Sequence, residues 1–319
     1  MDYICTDCPR RCGARRTDTM TGGVCASPAL PRVARAAPHF GEEPCLTGTR
    51  GSGAVFFTGC SLRCVFCQNR EISRGGAGET LTVPQLRDCF LRLRDRGVHN
   101  INLVTGGHFV RAIAEALDGL ELGVPVVWNS SGYESVESLR RLEGLVQVYL
   151  PDYKYSKSET ARRYSAAPDY PETARAAIRE MFRQTGPYVM DGEGLLRSGV
   201  LIRHLILPGE ELAAMDAIDF AAEEFPENAV LFSLMSQYTP MPGLERFPAL
   251  RRRVSAEENE LLRGYFARSG LDGWWQEPDS ATGEMIPAFD GTGVRQTVLD
   301  FPRGLGDNGR EESTDTPIS

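Results

Sequence analysis

The stretch 59-GCSLRCVFCQN-69 contains Cys60, Cys64 and Cys67 in a C-x3-C-x2-C pattern. Cysteine thiolates are the usual ligands of a four-iron cluster, which has four corners, so three thiolates leave one iron without a protein ligand. An open coordination position is where a metal site performs chemistry. A structural zinc site, the alternative, normally needs four ligands, and no further Cys or His follows before Cys89. The pattern therefore favours an iron–sulfur site with one open iron.

The composition bounds the class of protein. The chain has 319 residues, enough for one large α/β domain with a small appendage. Its net charge of −8 and its pI near 5.2 argue against general binding to nucleic acid or to anionic membranes, since both require a basic face. No apolar run approaches a membrane span in length, and the N-terminus lacks the apolar core of a signal peptide. We therefore expect a cytoplasmic protein whose nine cysteines bind metal rather than form disulfides.

A second group of cysteines precedes the 59–69 stretch. Cys5, Cys8, Cys12 and Cys25 follow a C-x2-C-x3-C-x12-C pattern within residues 1–50, which show no periodicity. So short a segment cannot bury a core of its own, and a bound metal would supply the missing folding energy. We predict a metal site here, either zinc or a second iron–sulfur cluster; unligated thiols in a loop are the alternative. The arginines of this segment are predicted to face solvent: Arg10, Arg11, Arg15 and Arg16.

From residue 53 onward, apolar runs alternate with helical patterns. Six apolar runs predict strands: 53–58, 101–105, 124–129, 146–150, 200–207 and 229–234. Helical patterns follow them: 82–97, 112–117, 136–142, 171–184, 212–225 and 255–269. The clearest helix begins at the capping box Thr82-x-x-Gln85 and places Cys89 on its apolar face. This alternation predicts a parallel sheet with right-handed crossovers, whose carboxyl edge carries the chemistry.

Several of these strands end in glycine or polar residues. These residues are Gly106, Gly107, Asn129, Ser131, Asp152, Lys154 and Arg203. Glycine lets the backbone approach a ligand closely. An acid and an amine on one side of a strand end can pair with each other or with a ligand. Arginine can bind a carboxylate through two parallel hydrogen bonds. Each residue alone has an ordinary alternative, namely a turn, a surface pair or a structural ion pair. Together, at successive strand ends, they indicate one ligand site.

The cysteine triplet, with Phe66 inside it, resembles the cluster motif of the radical S-adenosylmethionine (radical SAM) superfamily. The resemblance implies an α/β fold, a partial (β/α)6 barrel of the TIM type over residues 51–294. Residues 1–50 then form a Cys-rich metal-binding segment, and 295–319 a mostly disordered extension. It also implies a 4Fe-4S cluster whose open iron binds S-adenosylmethionine (SAM). One electron from the cluster cleaves SAM to methionine and a 5′-deoxyadenosyl radical, which abstracts a hydrogen atom.

Within that superfamily, the strand-end residues look most similar to the branch related to the pyruvate formate-lyase activating enzyme. Gly106 and Gly107 correspond to a Gly-Gly-Glu turn that contacts the methionine part of SAM, although this chain has His108 where that branch usually has Glu. The resemblance implies that Asn129 and Ser131 hold the ribose or the amino acid part. These residues are therefore expected to bind the cofactor.

The same resemblance assigns roles to three charged residues. Asp152-x-Lys154 corresponds to an Asp-x-Lys pair that engages SAM and substrate, so both residues are predicted to be catalytic and Asp152 also to bind the cofactor. Arg203, followed by Leu207-Pro208-Gly209, corresponds to an Arg that clamps the SAM carboxylate. The sequence assigns no role to Cys45 or to Trp274-Trp275.

Three functions are consistent with the sequence. The first is an activating enzyme that receives an electron from a flavodoxin or a ferredoxin and takes a hydrogen from a glycine of a partner glycyl-radical enzyme. The second is the same chemistry on a small molecule or a protein side chain. The third is a metal-binding or electron-transfer protein without catalysis. The charged residues at the strand ends argue against the third, because an electron carrier needs no SAM-shaped pocket.

Overall fold

The computed structural model describes residues 1–276 and 287–295. The strands are β1 (Asp2–Ile4), β2 (Arg15–Thr17), β3 (Arg32–His39), β4 (Ser52–Phe57), β5 (Glu79–Thr80), β6 (Ile101–Val104), β7 (Val126–Ser130), β8 (Val148–Pro151), β9 (Val189–Met190), β10 (Leu196–Leu205), β11 (Leu231–Met235) and β12 (Asp272–Gln276). The helices are α1 (Pro44–Thr47), α2 (Arg70–Ser73), α3 (Val83–Asp95), α4 (Val110–Leu117), α5 (Val136–Arg140), α6 (Ser158–Ser165), α7 (Tyr170–Thr185), α8 (Glu211–Glu224) and α9 (Ala256–Phe266). The C-terminal extension is predicted to be mostly disordered, and its residues from 296 onward lie outside the described residues.

A parallel sheet organises the chain, as the alternation of strands and helices predicts. The six predicted strands are confirmed as β4, β6, β7, β8, β10 and β11, neighbours in that order and paired in parallel. A seventh parallel strand, β12, was not predicted and pairs with β11. It contains Trp274-Trp275, but Gly273 interrupts it and its residues are only partly buried, so it lacks the continuous apolar run of a central strand.

The first fifty residues contribute to this same sheet. β3 pairs antiparallel along β4, with Ala36 opposite Val55, and β5 pairs antiparallel with β3 at the sheet edge. The sequence analysis did not predict β3 because Arg32, Arg35 and Pro38 interrupt its apolar residues. Arginine and proline are tolerated near a sheet edge, where they discourage pairing with other chains. The N-terminal residues are therefore continuous with the sheet that carries the Cys loop.

Helices cover one face of the sheet. The capping box that opens α3 is confirmed, since Thr82 Oγ accepts a hydrogen bond from Gln85 N and the Gln85 side chain accepts one from Thr82 N. Cys89 is fully buried on the apolar side of α3, which confirms its predicted place in the core. α6 was not predicted, because its sequence SETARRYS is mostly polar. Among the described residues, no helix is both long and apolar enough to cross a membrane.

The short helix α1 packs on the other face of the sheet. Pro44 occupies its first turn, where the missing N–H costs nothing. Cys45 and Leu46 are buried in one apolar cluster with Val127 and Leu150 of the central strands. Full burial of Leu46 alone stabilises this placement by about 2 kcal/mol. The position of α1 places the two residues before it, Glu42 and Glu43, at the carboxyl edge of the sheet.

Candidate active site

A cavity of about 420 Å³ lies at the carboxyl ends of the parallel strands. Eight of the predicted site residues line it: Cys60, Cys64, Cys67, Asn129, Ser131, Asp152, Lys154 and Arg203. They follow or end four strands, β4, β7, β8 and β10, and the parallel sheet brings those ends to one edge. The structure therefore brings the thiols and the charged residues together in one site.

The Cys loop follows β4 directly and is closely packed. Gly59 has φ +93°, and a Cβ there would lie 2.7 Å from the carbonyl oxygen of Cys25. Phe66 is buried, and three tyrosine rings surround it at centroid distances of 6.2 to 6.3 Å: Tyr155, Tyr164 and Tyr238. This aromatic packing fixes the backbone between Cys64 and Cys67 and keeps water from that side of the loop.

The three thiols of the loop are chemically suited to an iron–sulfur cluster, whose usual ligands are cysteine thiolates. Cys60 and Cys64 are buried, and burial raises the pKa of Cys60 to about 12 and raises that of Cys67. Such thiols are stable as thiolates only with a positive group beside them. Within the described part of the chain, no three Cys, His, Asp or Glu side chains are placed to hold one metal ion. In a cluster each thiolate binds a different iron, so its three ligands need not converge on one atom.

Charged side chains face the thiols across the cavity. Lys154 Nζ donates to Asp152 Oδ2 at 2.6 Å, and Arg203 Nε donates to Asp152 Oδ1 at 3.0 Å. Burial opposes ionisation of Asp152, but Arg203 and Lys154 outweigh it and lower its pKa. Burial likewise favours neutral Lys154, but Asp152 and Cys64 outweigh it and raise its pKa. The site therefore holds an ionised triad, in which the Asp152 carboxylate lies between the cations Lys154 and Arg203.

The guanidinium of Arg203 makes three hydrogen bonds to protein side chains. Its Nη2 donates to Asn129 Oδ1 at 2.6 Å and its Nη1 donates to Glu42 Oε2 at 3.1 Å, in addition to the Nε bond to Asp152. These bonds use three of its five N–H groups, so the predicted contact of Arg203 with a SAM carboxylate stays a proposal. In this arrangement Arg203 orients the side chains of Asn129 and Asp152.

Two acidic residues of this site were missed by the sequence analysis. Glu42 and Glu43 line the cavity from the segment between β3 and α1, and both lie near Arg203. Burial raises the pKa of both carboxyls, although Arg203 opposes this. The one available sequence feature was the dipeptide Glu-Glu before Pro44, which indicates a helix start but says nothing about which strands the helix packs against.

The Gly106-Gly107 turn has a different environment from the other predicted residues. Within the described chain, neither glycine is among the residues that line the cavity. A Cβ on Gly107 would lie within 2.5 Å of Oε1 of Glu134, a fully buried carboxyl whose pKa burial raises to about 8. His108 is buried with Nε2 2.9 Å from the carbonyl oxygen of Thr58, and burial lowers its pKa to about 3. His108 is therefore neutral and helps to pack the end of β4.

The N-terminal cysteines lie beside the Cys loop. Cys5, Cys8 and Cys25 are buried and Cys12 is exposed, and none of the nine cysteines, all within the described residues, forms a disulfide. Cys12 Sγ lies against Gly23, near the turn that carries Cys25. Three of the four thiols are thus inside the protein, but in the described part of the chain no three of them are placed to hold one metal ion.

Two arginines of this segment were wrongly predicted to face solvent. Arg16 is 0% exposed, and its guanidinium donates to Cys25 Sγ at 2.6 Å and to the carbonyl oxygen of His108 at 2.6 Å. Arg10 donates to the carbonyl oxygens of Ser61 and Ser165, among others. An arginine can satisfy several carbonyls at once through its fork of N–H groups, and the sequence alone does not show those carbonyls.

Comparison with known proteins identifies the family. The model of the radical SAM superfamily matches residues 54–221, more than half of the chain. The chain belongs to the radical SAM superfamily. The family implies an enzyme that uses a 4Fe-4S cluster and SAM and that needs a reductant. This radical SAM protein is also 32% identical over 245 residues to a protein of Methanocaldococcus jannaschii described as uncharacterized, an alignment that covers 73% of this chain and 66% of that relative.

Solved structures of other radical SAM proteins are distantly similar. SuiB of Streptococcus suis bound to S-adenosylmethionine has 13% identity and a TM-score of 0.45, over 73% of this chain and 52% of that one. A radical SAM methyltransferase from Sphaerobacter thermophilus has 18% identity and a TM-score of 0.46, over 74% and 70%. A domain of a pyruvate-formate lyase-activating enzyme from Bacteroides vulgatus has 13% identity and a TM-score of 0.34, over 61% and 91%. This chain spans about half the length of SuiB.

Proposed function

We propose that this protein binds a 4Fe-4S cluster through Cys60, Cys64 and Cys67 and reductively cleaves SAM in the adjoining cavity. The observation that carries the proposal is that the three thiols and the Asp152–Lys154–Arg203 triad line one cavity. When bound, the cluster supplies the electron that splits SAM into methionine and a 5′-deoxyadenosyl radical. That radical takes a hydrogen atom from the substrate and becomes 5′-deoxyadenosine, which leaves the unpaired electron on the substrate.

The residues of this chain have separate tasks in that proposal. The Cys loop excludes water through Phe66 and its tyrosine neighbours, which affects the potential of a cluster held there. Lys154 brings a positive charge close to Cys64, and Asp152 and Cys64 together raise the pKa of Lys154. Asp152 and Asn129 present oxygen acceptors, held in place by Arg203, at the edge where SAM would bind. Gly106 and Gly107 stay proposed as contacts to the methionine part of SAM. Ser131, with Asn129, stays proposed as a contact to its ribose or amino acid part, and Arg203 as a contact to its carboxylate.

The test is anaerobic reconstitution with iron and sulfide, followed by dithionite and SAM. The wild type should form 5′-deoxyadenosine and show the absorption of a 4Fe-4S cluster. Cys64→Ala should lose both. The matched control is Cys89→Ala, a buried cysteine of α3 outside the cavity, which should retain both. If the reconstituted wild type forms no 5′-deoxyadenosine, the proposal is wrong.

For the substrate, we propose a backbone glycine of a partner glycyl-radical enzyme, with the catalytic unit a partial (β/α)6 barrel and a flavodoxin or ferredoxin as electron donor. The support is the similarity of Asp152-x-Lys154 and Arg203 to the activating-enzyme branch. Incubation with candidate glycyl-radical enzymes, monitored by electron paramagnetic resonance, should give a glycyl radical signal. If SAM is cleaved but no candidate acquires that signal, the substrate is instead a small molecule or another protein side chain.

For the N-terminal cysteines we propose a second metal site formed by Cys5, Cys8, Cys12 and Cys25, either zinc or iron–sulfur. Burial of three of these thiols and the proximity of Cys12 to the turn before Cys25 support it. Metal and sulfide content of the anaerobically purified Cys8→Ala variant tests it. Loss of zinc would identify a structural ion, loss of iron and sulfide beyond that of one cluster would identify a second cluster, and unchanged metal content would refute the site. A cytoplasmic location stays a prediction.

A further inference from the structure

Three side-chain donors converge on Glu42, which lines the cavity. Its Oε2 accepts from Arg203 Nη1 at 3.1 Å, and its Oε1 accepts from Asn129 Nδ2 and from Asn102 Nδ2, each at 3.2 Å. The side chain is 8% exposed. A buried carboxylate with a charged partner and two amide donors is well satisfied, and its partners lose their orientation if it is removed.

The bonds around Glu42 form a closed ring. Arg203 donates to Asn129 Oδ1, Asn129 Nδ2 donates to Glu42, and Glu42 accepts from Arg203. One end of the Asn129 amide therefore faces a donor and the other an acceptor, so only one orientation of the amide satisfies both. Through Arg203 Nε the same ring fixes Asp152, and through Asp152 it fixes Lys154.

The adjacent Glu43 is also buried, but its hydrogen bonding differs from that of Glu42. It is 1% exposed, and its Oε2 lies 3.9 Å from Arg203 Nη1 but has no hydrogen-bond partner among the described residues. Burial favours its protonated form. Glu42 is therefore hydrogen-bonded into the ring, whereas Oε2 of its neighbour Glu43 is not.

We propose that Glu42 is a positioning residue for the SAM site, so that the segment before α1 completes a site otherwise built from the carboxyl ends of the strands. Glu42 acts through Arg203 and Asn129, whose side chains it holds at the angles that present Asn129, Asp152 and Lys154 to the ligand. The inference rests on the proposed function, since it assigns SAM as the ligand of that edge.

The experiment compares Glu42→Ala, Glu42→Gln and the control Glu180→Gln in reconstituted protein. The affinity for SAM is measured by calorimetry, and the KM for SAM and kcat are measured by 5′-deoxyadenosine formation. Glu42→Ala removes the acceptor of three donors, and loss of such outer partners typically weakens ligand binding about 10- to 100-fold. Glu42→Gln keeps one acceptor oxygen and should lose less. Glu180→Gln is the matched control, since Glu180 of α7 is a buried carboxyl that accepts from Arg183 and Gln184 but does not line the cavity, and this variant should bind SAM as the wild type does.

The readouts separate positioning from a structural role. A positioning role raises the Kd and the KM for SAM while the iron and sulfide content and the unfolding midpoint stay near those of the wild type. If Glu42→Ala does not fold, Glu42→Gln decides. The inference is overturned if Glu42→Gln binds SAM as tightly as the wild type, or if both Gln variants lose affinity equally. A wild type that cleaves no SAM would instead refute the proposed function, so the two failures are distinguishable.

Discussion

Replacement of Arg10 by Ala should loosen the contact between the N-terminal segment and the Cys loop. Arg10 Nε donates to Ser61 O at 2.9 Å and Nη2 to Ser165 O at 2.6 Å, while Nη1 donates to Ala166 O. Its guanidinium also lies 5.3 Å from the ring centroid of Tyr133. One charged side chain therefore joins the segment to both the Cys loop and the end of α6.

The magnitude follows from these contacts. A hydrogen bond from a charged donor contributes about 1.5 to 3 kcal/mol, so three would contribute about 4 to 5 kcal/mol at the lower end of that range. The cation–π contact adds about 0.5 kcal/mol. Arg10 is half-buried, so water reaches the carbonyls after its removal and offsets about half of the loss. We expect the variant to lose about 2 to 3 kcal/mol of unfolding free energy.

Urea unfolding of the anaerobically reconstituted protein, followed by circular dichroism and by tryptophan fluorescence, measures this loss. The matched control is Arg11→Ala, since Arg11 is the next residue and its side chain is exposed. The control should lose less than about 0.5 kcal/mol, as surface substitutions usually do. The reasoning is refuted if Arg10→Ala and Arg11→Ala have the same stability, because the carbonyl contacts would then contribute nothing.

Further predictions concern Gly107, Glu134 and the two sets of cysteines. Gly107→Ala should lose about 1 to 3 kcal/mol because its Cβ collides with the Glu134 carboxyl, whereas Gly192→Ala, which has open space, should be neutral in the same unfolding assay. Because burial raises the pKa of Glu134 from 4.5 to about 8, wild-type stability falls as pH rises through that window. Glu134→Gln should avoid this loss, so its stability relative to wild type should increase with pH by up to about 1.4 kcal/mol per unit, and a pH-independent difference would contradict the assignment. Cys64→Ala should abolish SAM cleavage, whereas Cys8→Ala should mainly lower the unfolding midpoint; equal loss of cleavage in a folded Cys8→Ala would indicate an auxiliary redox cluster.

The sequence by itself determined the elements whose pattern is local. The capping box at Thr82 and the apolar stripe of α3 depend on residues three or four apart, and the six apolar runs depend on residues next to one another. The spacing of Cys60, Cys64 and Cys67 is likewise local, and it indicated the cluster motif. The apolar run 53–58 indicated the strand that this motif follows. Parallel pairing then implied that the strand-end residues would meet, as eight of the predicted site residues do at the cavity.

Only the tertiary structure decided which residues face each other across that edge. Glu42 is 161 residues from Arg203 and 87 from Asn129, and their contacts arise because α1 packs on the sheet from below. Arg16 is internal and Arg10 is half-buried because distant carbonyls and a thiol match their N–H groups. Burial of a charge costs free energy unless partners compensate it. Those partners are set by packing between distant segments, which no local pattern in the sequence specifies.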